Sequence, residues 1–162
     1  SGLTNLQYLY LSNNQISDIS ALSGLTNLEY LSLWDNQISD ISALAGLTNL
    51  YYLDLEENQI ENISALAGLT NLYHLDLGDN QIENISALAG LTNLQYLYLT
   101  NNPNLDTSPG SDNRIIIDNL ISNGCWVIFD EAGEANSQSI EQGKYKKDFM
   151  DERIKKNMSK KK

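Results

Sequence analysis

The chain is poor in the residues that most catalytic and metal sites use. Its 162 residues include one cysteine, Cys125, and one histidine, His74. A single cysteine cannot form a disulfide within the chain, so cysteine usage leaves the redox compartment open. The sequence has no metal-spaced cysteine–histidine cluster and no phosphate-binding glycine loop. We therefore expect a protein that is not an enzyme and has no cofactor, no bound metal and no small-molecule substrate.

Long apolar runs are also missing, and most of the chain has almost no basic residues. No stretch of about 18 or more apolar residues occurs, so the sequence contains no candidate transmembrane helix. Residues 1–143 contain 18 acidic residues against one basic residue, a net charge of −17, whereas residues 144–162 contain nine basic and three acidic residues, +6. An acidic body repels phosphate backbones, which disfavours nucleic acid as a partner.

What the chain does have is a 22-residue repeat. The segment SGLTNLQYLYLSNNQISDISAL, residues 1–22, recurs four more times without insertion, and the last copy departs from the pattern at Pro103. A fixed period of this length is typical of a solenoid, in which each repeat is one coil packed against its neighbours. The first coil would leave Leu3, Leu6 and Leu9 on an open apolar edge, so we expect a cap or further repeats upstream.

Each coil is predicted to contain one short strand and a return segment. In the second copy, alternation over residues 30–34 places Leu31 and Leu33 inward and the side chains between them outward. The apolar residues from Ile38 to Leu44 are spaced by three, which favours a short 3₁₀ or irregular turn. An asparagine ends each strand, and its amide can bond backbone groups at the turn. We expect these residues to form a structural ladder: Asn14, Asn36, Asn58, Asn80 and Asn102.

The run LEYLSLWDNQI, residues 28–38, fits the pattern L-x-x-L-x-L-x-x-N-x-L of leucine-rich repeats. With the phrases GLTNL, NQI and DISAL, it resembles the 22-residue class found in bacterial internalins and in SDS22-like phosphatase regulators. The resemblance covers residues 1 to about 110. It implies an α/β solenoid with a parallel sheet on the concave side and short turns on the convex side.

The region after the repeats is predicted to form a C-terminal cap. We divide the chain into repeats over 1–110, a helix–strand cap over 111–130, a linker over 131–143 and a basic tail over 144–162. Apolar spacing predicts a helix over 113–122 that ends at Gly124. A last strand over 125–129 would direct Cys125 and its alternate neighbours Val127 and Phe129 inward, and Trp126 and Ile128 outward. We interpret Cys125 as a buried, inert thiol.

The basic tail has three interpretations. Its composition favours a solvated, disordered segment, and a four-residue spacing of Met150, Ile154 and Met158 also allows a weak amphipathic helix. Its charge would suit an anionic membrane or nucleic acid. Alternatively, the tail binds the acidic strand face of its own chain and competes with a partner.

The repeat copies differ mainly along one surface. Copies three and four differ at three of 22 positions and copies one and two at four, and all seven differences lie on or beside the outward strand face. Confined variation favours a recognition face. The residues that we expect to bind a partner are Tyr8, Tyr10, Tyr30, Trp34, Asp35, Tyr52, Asp54, Glu56, Glu57, His74, Asp76, Asp79, Tyr96 and Tyr98.

These positions combine an aromatic strip with an acidic centre. Asp54 would lie beside Asp76 on adjacent strands, where two like charges repel by about 1 kcal/mol even in water. An arrangement that costs stability is a candidate for function, and it suits a protein partner with a basic surface. Two structural explanations compete: tyrosine favours strands, and acidic residues keep a surface soluble. Calcium binding by the same acids is a further alternative, although no calcium loop is present.

Three functions remain open from the sequence, and the first is preferred. The chain is a non-catalytic scaffold for protein–protein interaction, and the internalin-like resemblance implies a secreted or surface protein of a bacterium with an adhesion-type role. The SDS22-like resemblance implies an intracellular regulatory subunit that docks an enzyme. The third alternative is a purely structural spacer within a larger protein. Localisation is open between these settings, with the bacterial surface or extracellular space favoured.

Overall fold

The fold is a single parallel sheet that runs the length of the repeats. A computed structural model describes residues 3–132, and every strand in this part of the chain is three residues long. The strands are β1 (Tyr8–Tyr10), β2 (Tyr30–Ser32), β3 (Tyr52–Asp54), β4 (His74–Asp76), β5 (Tyr96–Tyr98) and β6 (Trp126–Ile128). They pair in chain order, and β1 to β5 align each residue with the one 22 positions later. This arrangement confirms the predicted leucine-rich-repeat solenoid.

The return segments are short turns, as the apolar spacing predicts. Each of the first four coils contains one 3₁₀ turn of three residues with the sequence Ser-Ala-Leu. The turns are Ser20–Leu22, Ser42–Leu44, Ser64–Leu66 and Ser86–Leu88. A helix would need more residues than a 22-residue coil can spare once the strand and two bends are formed, so the coil closes with a tighter 3₁₀ turn.

The core is a column of leucine and isoleucine between the sheet and the turns. Leu31, Leu33 and Ile38 of the second coil are fully buried, and the equivalent residues of the third and fourth coils are equally buried. In the first coil Leu9 and Leu11 are only partly buried, and Leu3 is 67% exposed. A coil buries its apolar side chains fully only when it has a neighbour on both sides.

The predicted C-terminal cap is present. Helix α1 (Asp112–Ser122) is capped by Ser111, whose hydroxyl oxygen accepts a hydrogen bond from the backbone N–H of Arg114, and Gly124 follows the helix with φ +90°. The side chain of Asn113 bonds to the fourth coil, accepting from the Ile85 N–H at 3.1 Å and donating to the Glu83 carbonyl at 2.9 Å. The side chain of Asn113 therefore links the helix to the fourth coil.

The last strand follows the predicted alternation. Cys125 is buried, Val127 and Phe129 pack partly against the core, and Trp126 is 52% exposed. Ile128 is aligned with Tyr98 of β5, so it lies on the outward side of the sheet as predicted, where it is 9% exposed.

The asparagine column links successive coils. The Asn58 amide nitrogen donates to the carbonyl of Leu33 in the preceding coil and to that of Leu55 in its own coil, each at 3.1 Å. Its side-chain oxygen accepts from the Ile38 N–H at 3.0 Å. Asn36, Asn80 and Asn102 make the equivalent bonds. The exposed Asn14 bonds only within its own coil.

No helix within residues 3–132 is long and apolar enough to cross a membrane. Most of the predicted linker and all of the basic tail, residues 133–162, lie outside the described residues.

Replacing Asn58 with alanine should destabilise the fold much more than the same change at Asn14. The Asn58→Ala variant leaves buried backbone groups of two coils without partners, which we expect to lower the free energy of unfolding by about 3 kcal/mol. Asn14→Ala is the matched control, and its exposed position predicts a loss below about 1 kcal/mol. Urea unfolding followed by circular dichroism would measure both, and equal losses would contradict the ladder's role.

Candidate functional site

The first column of the outward strand face is a row of five aromatic rings, of which the first four stack and the fifth is tilted. Sheet register aligns Tyr8, Tyr30, Tyr52, His74 and Tyr96, one from each strand β1 to β5. Ring centroids are 4.9 Å apart for Tyr8–Tyr30, 6.0 Å for Tyr30–Tyr52 and 4.4 Å for Tyr52–His74, with near-parallel planes. The strand spacing of about 4.8 Å suits stacked rings, so the repeat itself produces this arrangement.

A second aromatic line lies beside the stack and was missed by the sequence analysis. Tyr51 and Tyr73 stack at 4.8 Å, and they contact Tyr30 and Tyr96 of the first column at 6.0 and 5.6 Å. Both residues immediately precede a strand, so strict alternation within the strands did not assign them to either face. Their signal in the sequence is variation, because the same repeat position is Gln7 in the first copy.

Tyr51 and Tyr73 line a groove of about 840 Å³ that runs along the N-terminal ends of the strands. A second set of asparagines lies along it, from the GLTNL phrase of each copy. Asn49 donates to the carbonyl of Thr26 in the preceding coil at 2.9 Å, and the three equivalent residues repeat this bond: Asn27, Asn71 and Asn93. The chain therefore has two asparagine ladders, of which the sequence predicted one.

The centre of the outward face is more buried than we expected. Tyr52 is 7% exposed, Asp54 4% and His74 4%. The Tyr52 ring is stacked between Tyr30 and His74, and the His74 ring also lies 5.4 Å from the tilted ring of Tyr98, which is 8% exposed. Register places these four residues on the outward side, as predicted, but they expose little surface, and their role in binding a partner stays a prediction.

His74 differs in chemistry from the tyrosines that it replaces. Burial lowers the pKa of its imidazole from 6.5 to about 3, so the ring is neutral at physiological pH. Among residues 3–132, no group forms a hydrogen bond with its Nδ1. A neutral, stacked imidazole is unsuited to general acid catalysis near pH 7.

The acidic centre lies next to the stack. Asp54 and Asp76 are aligned on β3 and β4, and one carboxylate oxygen from each of Asp54, Glu56 and Asp76 lies within 4.8 Å of the others. The Glu56 N–H donates to Asp54 at 3.2 Å, and the Gly78 N–H donates to Asp76 at 3.0 Å. Clustered carboxylates are the ligands that hard cations prefer, so this group is geometrically able to hold a divalent ion.

Two smaller residues shape the surroundings of this centre. The Ser32 hydroxyl donates to Asp54 at 3.2 Å and lies 2.7 Å from the Ser12 hydroxyl, which extends the polar line across β2. At Gly78 a Cβ atom would lie 3.3 Å from the Asp76 carboxylate and 3.6 Å from Cγ of Glu56. The missing side chain therefore leaves room for the Glu56 stem beside Asp76.

The flanking column has a backbone explanation that sequence reasoning lacked. All five of its residues have left-handed backbone conformations, with φ between 52° and 57°: Asn13, Asp35, Glu57, Asp79 and Asn101. Asparagine and aspartate tolerate this conformation better than other residues with a side chain. The left-handed backbone therefore explains why aspartate occurs at Asp35 and Asp79. It does not explain the glutamate at Glu57.

Cys125 is buried, whereas the outer aromatic residues of the face are accessible. The Cys125 thiol is buried, and desolvation raises its pKa to about 11, which keeps it protonated and unreactive. Tyr10 is 47% exposed, and Trp34 and Tyr96 are half-buried. Accessible aromatic surface thus lies at the two ends of the face and along the groove.

A parallel sheet extended one 22-residue coil at a time, with short turns opposite, defines a repeat solenoid, and its sequence motif defines the family. Models described as leucine-rich repeats match residues 4–46, 26–68, 48–103 and 93–123. The chain belongs to the leucine-rich repeat family, and its repeats are of the bacterial internalin-like type.

Solved structures support the same assignment. An internalin C2 from Listeria monocytogenes is 41% identical, with a TM-score of 0.70 over 80% of this chain, and an internalin from the same organism, inlF, is 37% identical, with a TM-score of 0.72 over 85%. The chain spans 54% and 38% of those two proteins. A plant peptide hormone receptor, RGFR1 in complex with RGF2, is 26% identical, with a TM-score of 0.62 over 78% of this chain and 20% of its own. No curated protein sequence matches the chain.

These relatives and the repeat families point to a non-enzymatic protein-interaction scaffold. They include surface and receptor proteins, which weakly favours an extracellular setting.

His74 should make the stability of the protein depend on pH. The unfolded chain protonates this imidazole below pH 6.5, whereas the folded chain keeps it neutral down to about pH 3. The free energy of unfolding should therefore fall as the pH falls from 6.5, by up to about 1.4 kcal/mol per pH unit. The His74→Tyr variant restores the residue of the other four copies and removes this contribution.

Urea unfolding of both proteins at pH 7 and pH 5 would measure the difference. The stability gap between the original protein and His74→Tyr should move by about 2 kcal/mol in favour of the variant at the lower pH. A gap that does not change with pH would contradict the burial of a neutral His74.

Proposed function

We propose that the chain is a non-catalytic scaffold that binds a protein partner through the outward strand face. The observation that carries this proposal is the placement of an aromatic stack directly beside a cluster of three carboxylates on one side of the sheet. Tyrosine and tryptophan contribute large, rigid contact area with a polar tip.

The chemistry of the face favours a partner with a basic surface. The partly exposed carboxylates Glu56 and Asp76 would attract lysine and arginine side chains, which sets specificity and association rate more than affinity. The accessible aromatic residues at its edges, Tyr10 and Trp34, would contribute the apolar part of the interface. Nucleic acid fits poorly, because its phosphates would meet the same carboxylates.

The setting that we propose is the bacterial surface or the extracellular space, with an adhesion-type role. The support is the sequence similarity to two Listeria internalins. Docking of an intracellular enzyme, by analogy with SDS22-like regulators, is the alternative setting for the same face. A purely structural spacer is the alternative function.

Removing two aromatic side chains from the face should weaken binding of the partner at least about tenfold. The partner is first captured on the intact protein, identified by mass spectrometry and purified. Its dissociation constant is then measured by calorimetry for the original protein and for the double variant Tyr30→Ala/Trp34→Ala. Circular dichroism verifies that the variant is folded.

A matched control removes apolar area elsewhere. Ile115 and Ile121 on α1 are 50% and 45% exposed, so the double variant Ile115→Ala/Ile121→Ala should bind within about twofold of the original. If both double variants bind as the original does, the partner uses neither surface and the proposed face is wrong, whereas an intact protein that captures no partner would favour the spacer. If only the α1 variant loses affinity, the partner uses the cap and the proposed face is wrong.

A further inference from the structure

The groove at the N-terminal ends of the strands differs in chemistry from the acidic centre. It has a volume of about 840 Å³, and amide and tyrosine side chains form most of its wall. Of the residues proposed to bind the protein partner, Tyr30 alone lines it. The groove is therefore a second candidate site, with its own lining residues and its own choice of ligand.

Four exposed asparagines form a regular row of hydrogen-bonding groups along the groove. Each donates one amide N–H to a threonine carbonyl of the preceding coil, as Asn49 does to Thr26 at 2.9 Å. An asparagine side chain has two N–H donors and an oxygen with two lone pairs. Among residues 3–132 these side chains form no other hydrogen bond, so each leaves one donor and its oxygen available: Asn27, Asn49, Asn71 and Asn93.

A tyrosine pair gives the groove an apolar wall. Tyr51 and Tyr73 stack at 4.8 Å with their planes 8° apart, and along their column the pair stands between Glu29 and Gln95. One face of each ring is therefore covered by the other ring, and the opposite face is turned towards a polar neighbour. Tyr51 is 40% exposed, so aromatic surface is accessible in the groove. The electron-rich face of an aromatic ring attracts polarised C–H groups.

The groove carries little charge. Its one acidic residue is Glu29, which accepts a hydrogen bond from the Gln7 amide at 2.9 Å, and no lysine or arginine of the described part of the chain lines it. Phosphate and carboxylate ligands need cationic partners, so an anionic ligand is unsuited. A hydrocarbon ligand is unsuited because the amides would lose water without gaining hydrogen bonds. The lining therefore selects a neutral ligand with many hydroxyl or amide groups and some C–H surface.

The spacing of the asparagine row distinguishes between two neutral polymers. Successive amides follow the strand spacing of about 4.8 Å, so the four span roughly 14 Å. An extended peptide repeats every 3.3 Å or so, and on one side about every 6.7 Å, and neither distance matches the row. A chain of equatorially linked pyranose rings advances by close to one strand spacing per ring, and its hydroxyl groups both donate and accept hydrogen bonds. Each asparagine can therefore meet an equivalent ring.

We propose that the groove binds a linear, neutral oligosaccharide. The hydroxyl groups of successive rings bond to the asparagine row, and the C–H face of one ring packs against Tyr51. Glucose chains linked through equatorial bonds, such as cellotetraose, have this shape and lack charge. The proposal goes beyond the protein interface on the strand face and does not depend on it, because the ligand class and the contact residues differ.

Nuclear magnetic resonance titration of the full chain tests this binding directly. Cellobiose, cellotetraose and cellohexaose are added to isotope-labelled protein, and the side-chain amide signals of Asn49 and Asn71 are followed. We expect these signals to shift, whereas Asn62, an exposed asparagine on the return segment, should not respond. Because the row has four asparagines, affinity should rise at least about fivefold from the two-ring to the four-ring chain and change less than about twofold for the six-ring chain.

Replacing the tyrosine pair should weaken the sugar complex without unfolding the protein. The double variant Tyr51→Gln/Tyr73→Gln introduces the residue that the first and fifth copies carry at this position, Gln7 and Gln95. It should bind cellotetraose at least about tenfold more weakly, and Tyr51→Phe/Tyr73→Phe, which keeps the rings, should bind within about threefold of the original. Trp126→Gln removes an exposed ring outside the groove and should change the affinity less than about twofold. Circular dichroism verifies that all three variants are folded.

Four results would overturn the proposal. The first is the absence of any shift at Asn49 and Asn71 with all three sugars, and the second is an equal response of Asn62. The third is binding of a galacturonic acid tetramer as tight as that of cellotetraose, which would reject selection for a neutral ligand. The fourth is equally tight binding of an uncharged peptide of serine, threonine and glycine, which would assign the groove to a peptide chain.

Discussion

The hydrogen bonds that asparagine side chains make between coils are the constraint on which the other features of this protein depend. Asn58 bonds backbone groups of its own coil and of the coil before it, so one side chain holds both turn geometry and stacking register. The GLTNL asparagines repeat this link at the other end of the strands. Because adjacent coils are hydrogen-bonded at both ends of their strands, each side chain lies one strand spacing from the equivalent side chain of the next coil. The aromatic stack and the carboxylate cluster follow from that alignment.

The same alignment explains why the outward face is strained as well as ordered. Register that stacks Tyr52 on His74 also places Asp54 beside Asp76, because both pairs are separated by one repeat. The first pairing stabilises the sheet through ring contact, and the second opposes it through like charge. A repeat protein cannot have ring stacking without the risk of like-charge repulsion, because duplication of a coil places the same residue type at the aligned position of the next strand.

The limits of sequence reasoning lie at particular residues. The strands, the 3₁₀ turns and the helix–strand cap were predicted, since period, alternation and spacing report local geometry. Tyr51 and Tyr73 were missed because they stand one residue outside a strand, where alternation assigns no face. His74 was expected to be accessible, but its burial depends on rings from three other positions. The acids Asp35 and Asp79 were interpreted as recognition residues before their positive φ angles supplied a backbone reason.

The sequence alone determined the solenoid, its 22-residue period and the residues in each column. A hydrophobic period and a strand-ending asparagine act through neighbours in the chain and in the adjacent coil. Only the tertiary structure decided which members of a column are buried, which carboxylates approach one another and where the chain leaves the cap. Those properties depend on distances between side chains of different coils and on desolvation, and neither quantity is contained in the spacing of residues along one chain.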